Sequence, residues 1–470
     1  MSTPVSTTTP GHSSDPSPRP PVGTVMNRLA ARLHFYAGVL IAPFLLVAAV
    51  TGGLYALSPT AEQFVYRQQL HTDAVGSAKS VAEQVRAAEK VRPDLRLDAV
   101  QPATNPGDTT RVLFADPSLG ESERLAVFID PVTLESRGEL VSYGSSGALP
   151  LRTWIDRLHR DLHLGDPGRL YSELAASWLW VVALGGLALW VMHVRKRRRA
   201  TGSGTLLRGV AGSRGRGRTV NRHGVIGAWV VVFALFLSAT GLTWSKYAGE
   251  HVTELRSALS WTTPSVDASL TGAGHAAGGE HADHGSAAMP EPTADRVAGV
   301  DGAVAIARAN GVDGAVEVKV PADAETAFVV SQRRVPWRAS TSSIAVDPSR
   351  DAVVDVNRFA DWPLAAKLSA WGVQLHMGVL FGLPNQLVLL GVVGALIALI
   401  VLGYRAWWQR RRGASFGAPP ARGALRELPA PAAAALLAAS AAVGWFLPLL
   451  GWPLLAFLLL DTAIGAARSK

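Results

Sequence analysis

The chain has no cysteine among its 470 residues, and only 17% of its residues are charged. Without thiolates, disulfides, cysteine-ligated zinc or iron–sulfur sites and cysteine nucleophiles are excluded. The sequence also lacks a glycine-rich phosphate loop, a nucleophile elbow and a dinucleotide fingerprint, which disfavours NADPH or flavin bound by the chain itself. A metal centre would therefore use histidine, methionine or carboxylate ligands, and the 12 histidines become the residues to follow.

Apolar residues are abundant, at 48% of the chain with a mean hydropathy of +0.20, as in membrane proteins. Four apolar runs, at 28–57, 171–194, 223–245 and 376–404, are each long enough to cross a hydrocarbon core of about 30 Å. Two shorter runs, at 431–447 and 453–466, are separated by prolines and a glycine. They predict a short C-terminal hydrophobic hairpin.

The net charge of +9 is concentrated between the second and third runs, where residues 195–222 contain ten Lys/Arg and no acid. Short loops this basic stay in the cytoplasm. Residues 58–158 carry 14 acidic and 11 basic side chains, and 246–371 carry 16 and 11, so both are expected outside. The excess charge thus indicates positive-inside membrane topology and argues against nucleic-acid binding.

These features predict a mainly α-helical membrane protein with an ordered series of segments. They are a disordered cytoplasmic tail (1–26), a first transmembrane helix (27–57), an external domain (58–158), a second helix (159–194), a basic cytoplasmic loop (195–222), a third helix (223–246), a second external domain (247–371), a fourth helix (372–405), a cytoplasmic linker (406–430) and the C-terminal hairpin (431–470).

The sequence also indicates a duplication. At an offset of 189, His34, Gly38, Thr51 and Gly52 recur as His223, Gly227, Thr240 and Gly241; at an offset of 217, Trp154, His159, Gly186 and Trp190 recur as Trp371, His376, Gly403 and Trp407. We expect two parallel repeats forming a four-helix core, each with a small external α+β domain. The larger second offset indicates an insert, which we place at residues 262–292.

Four histidines are paired by this repeat: His34 with His223 at the cytoplasmic face, and His159 with His376 at the outer face. An imidazole on each side of a flat macrocycle is the axial arrangement of a bis-histidine haem b, so we predict two haems. His163 and His193 are secondary candidates. The alternative is a set of interfacial histidines hydrogen-bonded to loops or lipid headgroups, but repeat-equivalent positions favour haem.

The insert contains a second group of metal-binding side chains: His275, Glu280, His281, Asp283 and His284. Imidazoles and carboxylates on a flexible loop suit a loosely bound transition metal such as Zn²⁺, Cu²⁺ or ferric iron. A polar loop that binds metal only adventitiously is the alternative.

Thr51-Gly52 after His34, Leu158-His159 with Gly165-Asp166-Pro167, and Leu375-His376 with Gly382-Leu383-Pro384 resemble the PepSY-associated transmembrane helix family of bacterial inner-membrane proteins. The resemblance covers about residues 27–412. It implies PepSY-like external domains. Because some relatives are haem-containing ferric-siderophore reductases or iron-regulated membrane proteins, it also implies haem ligation by His34, His159, His223 and His376.

The expected function is therefore that of a membrane metalloreductase. It would carry electrons from a cytoplasmic donor to a ferric siderophore or other metal chelate outside. Two alternatives stay open: a membrane-anchored PepSY module that binds peptide or regulates a protease without being an enzyme, and a protein that handles copper, zinc or iron through the His-rich loop.

Overall fold

The structure is a computed structural model that describes residues 20–271, 295–410 and 427–467. Its α-helices are α1 (Val22–Leu40), α2 (Ala42–Val65), α3 (Arg67–Leu70), α4 (Val81–Val91), α5 (Pro150–Asp161), α6 (Asp166–Thr201), α7 (Arg216–Leu242), α8 (Tyr247–Ala258), α9 (Asp295–Ala309), α10 (Leu364–His376), α11 (Leu383–Trp408), α12 (Ala430–Phe446) and α13 (Pro448–Ala467), with a 3₁₀ turn at Phe359–Asp361.

Four of these helices, α2, α6, α7 and α11, are long and apolar enough to cross a membrane. They pack as a bundle in which α6 contacts α7, and α11 contacts both α7 and α2. The first predicted run, 28–57, falls on two helices, α1 and α2, which meet at Ile41. Pro43 has no N–H for the carbonyl of Val39, and the hydroxyl of Tyr404 donates to that carbonyl instead, at 2.9 Å.

His159 and His376 lie in short helices that precede the long ones. His159 is in α5 and His376 ends α10. Between α5 and α6, Leu162, His163 and Gly165 all have positive φ. Between α10 and α11, Gly378 and Gly382 also have positive φ. These turns change the direction of the chain and end the short helices. A proline in the first turn of α6 and of α11 then favours the start of each long helix.

The strands form one eight-stranded antiparallel sheet of β1 (Arg96–Gln101), β2 (Thr110–Ala115), β3 (Glu123–Ile129), β4 (Ser136–Tyr143), β5 (Val316–Lys319), β6 (Phe328–Gln332), β7 (Ser343–Asp347) and β8 (Ala352–Asn357), in the order β4-β3-β2-β1-β5-β6-β7-β8. Two four-stranded meanders thus join edge to edge through the β1–β5 pair. The two predicted external segments share one sheet.

Helices α4 and α9 cover one face of this sheet. Their apolar side chains, including Val85 and Val300, share a core with Val112, Phe114 and Ile344. The N-terminus of α4 is held by α9, because the backbone amides of Val81 and Ala82 donate to the carboxylate of Asp301 at 2.8 and 3.0 Å.

The C-terminal apolar runs form α12 and α13, which pack against the rest of the bundle. The indole of Trp178 in α6 donates to the carbonyl of Leu449, and Nδ1 of His251 in α8 lies 2.9 Å from the carbonyl of Phe446. These contacts tie the hairpin to helices from both halves of the chain.

The segment predicted as an insert is described only to residue 271. Its first part belongs to the folded structure, since Val266 is buried against Ala327 and Ala345 and the amide of Leu270 donates to the carbonyl of Glu325. A deletion that tests the insert therefore begins at residue 272.

Candidate functional site

A cavity of about 1700 Å³ extends through the helix bundle to the sheet. Small ligand pockets are typically about 300–1,000 Å³, so this volume exceeds what one drug-sized ligand needs. One end, here called the loop end, is lined by Arg216, Trp407 and Arg410; the other, the sheet end, is lined by Asp98, Arg124 and Glu317. All four repeat-paired histidines line the cavity between these ends.

His34 and His223 face each other near the loop end. Their ring centroids lie 6.2 Å apart, with an angle of 76° between the ring planes. Nδ1 of His34 is 3.0 Å from the carbonyl oxygen of Val182, and Nδ1 of His223 is 3.0 Å from that of Leu399. Because a carbonyl only accepts, each Nδ1 carries the proton and each Nε2 keeps its lone pair.

His159 and His376 reach the same protonation state through threonines. Nδ1 of His159 lies 2.9 Å from the hydroxyl of Thr51, and Nδ1 of His376 lies 2.6 Å from that of Thr240. Each hydroxyl already donates to the carbonyl four residues earlier, so its oxygen accepts from the histidine. All four imidazoles therefore hold Nε2 as a free donor to a metal.

These contacts recur with the sequence offsets. Val182 and Leu399 are 217 residues apart, as are His159 and His376, and Thr51 and Thr240 are 189 apart. The same two ways of orienting a histidine are thus used in both halves of the bundle.

Glycines give the rings and the cavity their space. A Cβ on Gly186 would lie 2.8 Å from Cε1 of His34, whereas a Cβ on the offset-equivalent Gly403 would lie 3.6 Å from Cε1 of His223. Gly38 lines the cavity, and a Cβ there would meet no atom within 4 Å. Gly186 thus makes room for the ring of His34, and Gly38 leaves open space in the cavity one turn after His34.

The sheet end of the cavity is polar and charged. Arg124 of β3 forms ion pairs with Asp98 of β1 and Glu317 of β5, at 2.9 and 3.0 Å. Glu317 and Lys319 alternate with the core residue Val318, so they point to the sheet face opposite α4 and α9. This arrangement joins charged groups of both meanders above the histidines.

The two secondary histidines lie elsewhere. His163 packs against Trp154 with ring centroids 4.9 Å apart, and His193 stacks on Trp190 at 5.5 Å. Among the described residues that line the cavity, neither is present. The insert group His275, Glu280, His281, Asp283 and His284 lies outside the described residues. Within 20–271, 295–410 and 427–467, no group of three His, Asp or Glu residues is arranged to hold a metal ion.

The orienting groups are not evident from the residue types alone. Thr51 and Thr240 are visible in the sequence as repeated positions, although their role as acceptors is not. The role of the carbonyls of Val182 and Leu399 cannot be predicted from the sequence, since every residue carries a backbone carbonyl. The recurrence of Gly186 at Gly403 and of Trp190 at Trp407 is a sequence feature that marks this helix face.

Comparison with known families assigns the chain to one of them. The sequence profile of the PepSY-associated TM region matches residues 31–410. The chain belongs to this family. No curated protein matches the chain. As a member of the PepSY-associated TM region family with four apolar helices, the chain is a membrane protein, and the matched range contains all four cavity histidines.

Proposed function

We propose that this protein is a b-type haem protein of the bacterial inner membrane that moves electrons outward to reduce a ferric siderophore chelate, supporting iron uptake. The observation that carries the proposal is the set of four imidazoles, each with Nδ1–H bonded to an oxygen and Nε2 free, along one cavity. Ligating histidines are usually fixed in this way by a bond from the other ring nitrogen.

The inner pair fits a haem iron in spacing. Two imidazoles that held one metal ion would have ring centres roughly 6 Å apart, because each metal–nitrogen bond is about 2 Å and each nitrogen lies about 1 Å from its ring centre. The centroids of His34 and His223 are 6.2 Å apart. Gly186 gives room for the ring of His34, and Gly38 leaves open space one turn after His34 in which a macrocycle could lie.

His159 and His376 would hold a second haem nearer the sheet. When bound, haem supplies reversible one-electron chemistry at iron. The chain's own residues orient the imidazoles through Val182, Leu399, Thr51 and Thr240. Two sites divide a hydrocarbon core of about 30 Å into shorter distances.

The proposed topology places the basic loop end of the cavity in the cytoplasm and the sheet outside, with the two halves of the chain as parallel repeats. In the proposed reaction, one electron reduces one ferric ion to Fe²⁺. The lower charge of Fe²⁺ weakens its bonds to anionic oxygen ligands, which favours release from the chelate. The charged sheet end, with Arg124 and Lys319, is where a chelate would approach.

The proposal is tested by mixing the dithionite-reduced, desalted protein with a ferric siderophore under anaerobic conditions. We expect the haem absorbance to return to its oxidised form while one Fe²⁺ appears in a ferrous-specific chelator for each electron lost. A gallium siderophore is the control, because Ga³⁺ has the same charge and does not accept an electron. Haem that stays reduced with ferric chelates would contradict the reductase proposal.

A further inference from the structure

The surface around the loop end of the cavity is strongly basic. All ten Lys/Arg of residues 195–222 are exposed, and they are Arg195, Lys196, Arg197, Arg198, Arg199, Arg208, Arg214, Arg216, Arg218 and Arg222. None of the ten forms an ion pair with a residue that the structure describes. The segment contains no acid of its own. We call these ten residues the basic surface.

The basic surface is built on ordered backbone. The 36 residues of α6 are about 54 Å long, well beyond a core of about 30 Å, so the helix carries Lys196–Arg199 out of the bilayer. The following loop is held by Trp190, whose indole donates to the carbonyl of Leu206, and by the side-chain oxygen of Asn221, which accepts from the amide of Val210. The charges therefore stand at fixed places rather than on a free tail.

This surface also adjoins the inner histidines. Arg216 lines the cavity at the start of α7, two turns before His223, a distance of about 10 Å along the helix. Its Nε donates to the carbonyl of Ala406 in α11, next to Trp407 and close in sequence to Gly403, which packs near the ring of His223. A partner seated on the basic surface would lie beside the inner end of the electron path.

We propose that the basic surface is the docking site for an acidic, soluble one-electron carrier protein of the ferredoxin class, which supplies the electrons. This inference rests on the proposed function. Each reduced carrier would lose one electron, and one ferric ion outside would gain it. A surface of ten exposed cations beside the inner site is complementary to a carrier with an acidic face, and such complementarity steers encounter and fixes orientation.

The positive-inside rule explains why basic residues lie on this side, but it needs only proximity to the membrane ends. It does not require charges carried outward on α6 or a folded loop beside the cavity. These two features favour a protein partner over anionic lipid headgroups.

The test measures binding of an oxidised acidic [2Fe–2S] ferredoxin to the full chain in nanodiscs of zwitterionic phosphatidylcholine. We expect saturable binding that weakens as the Debye length falls from about 30 Å at 0.01 M salt to about 8 Å at 0.15 M. The variants Lys196→Gln/Arg197→Gln/Arg198→Gln/Arg199→Gln and Arg214→Gln/Arg218→Gln/Arg222→Gln should each raise Kd about tenfold or more. Arg28→Gln is the matched control, since Arg28 is already paired with Glu427.

Equal Kd values for the wild type and both neutralised variants would overturn the proposal. Absence of ferredoxin binding in zwitterionic nanodiscs, with variants that differ from wild type only in anionic lipid, would assign the surface to headgroups instead. Binding of the oxidised carrier needs no haem. If a haem-free protein bound ferredoxin, the docking site would be supported and the proposed function would fail. If the protein contained haem that dithionite reduces but did not bind ferredoxin, the docking site would fail and the haem proposal would be unaffected.

Discussion

Nδ1 of His34 in α1 lies 3.0 Å from the carbonyl oxygen of Val182 in α6, and the ring of His34 lies 6.2 Å from that of His223 between centroids. Two separate helices are thus needed to present one imidazole. His223 in α7 is held in the same way, because its Nδ1 lies 3.0 Å from the carbonyl oxygen of Leu399 in α11.

The inner and outer pairs should act separately. We expect His34→Ala or His223→Ala to remove one haem and His159→Ala or His376→Ala to remove the other, because each pair would share one iron. Haem per protein should fall by about half in each single variant, and a redox titration should lose a different component in the two sets. His163→Ala and His193→Ala serve as controls. Greater haem loss in these controls than in the four would show that the ligands are misassigned.

Gly186 and Gly403 provide a matched pair of tests. Gly186→Ala places a Cβ 2.8 Å from Cε1 of His34, so the ring must move away from Val182; Gly403→Ala leaves 3.6 Å to His223. We expect Gly186→Ala to lower inner haem content and Gly403→Ala to leave it near wild type. The measurement is haem content with the reduced α band. The opposite order would contradict the placement of His34 against α6.

Thr51 tests the orientation of an outer histidine. Thr51→Val removes the acceptor for Nδ1–H of His159 while keeping the shape of the side chain, and Thr51→Ser keeps the hydroxyl. Loss of such a partner typically costs about 10–100-fold in metal affinity or activity, so Thr51→Val should lose outer haem more readily during dilution. Thr51→Ser should retain it. Equal haem retention in both variants would mean that the hydroxyl does not orient His159.

Asp301 tests the joining of the two meanders. Its carboxylate accepts from two amides at the start of α4, so Asp301→Ala should destabilise the sheet region by about 1–2 kcal/mol. At about 2–4 °C per kcal/mol for a domain of this size, the melting temperature should fall by a few degrees. Asp313→Asn, on an exposed loop, is the control. An unchanged melting temperature would show that these two hydrogen bonds make no net contribution to the stability of the sheet region.

The insert provides a further prediction. Deletion of residues 272–292 should leave folding and haem content intact, because Val266 and Leu270, which pack on the sheet, are retained. If His275, His281 and His284 concentrate metal, reduction of a weakly chelated metal should slow more than that of a tight, bulky siderophore. Unchanged rates for both would exclude a role in delivery, and loss of haem would make the segment structural.

Much of this organisation is predictable from the sequence, because hydrophobic length and repeated residues are local patterns. The four apolar helices follow from such patterns, as does the mixed α and β character of the external segments. The merging of two meanders through β1 and β5 is not predictable, since it depends on pairing between Ala99 and Lys319, far apart in the chain. The orientation of His34 is equally hidden, because its partner is a backbone carbonyl.

The most direct test of the account is the absorption spectrum of the full protein purified from haem-sufficient cells, first oxidised and then reduced with dithionite, together with haem quantification. The account predicts a Soret band and a sharp α band in the reduced form, with about two haems per chain held by paired histidines. A colourless protein that takes up no added haem would contradict it and would favour a membrane-anchored binding module instead.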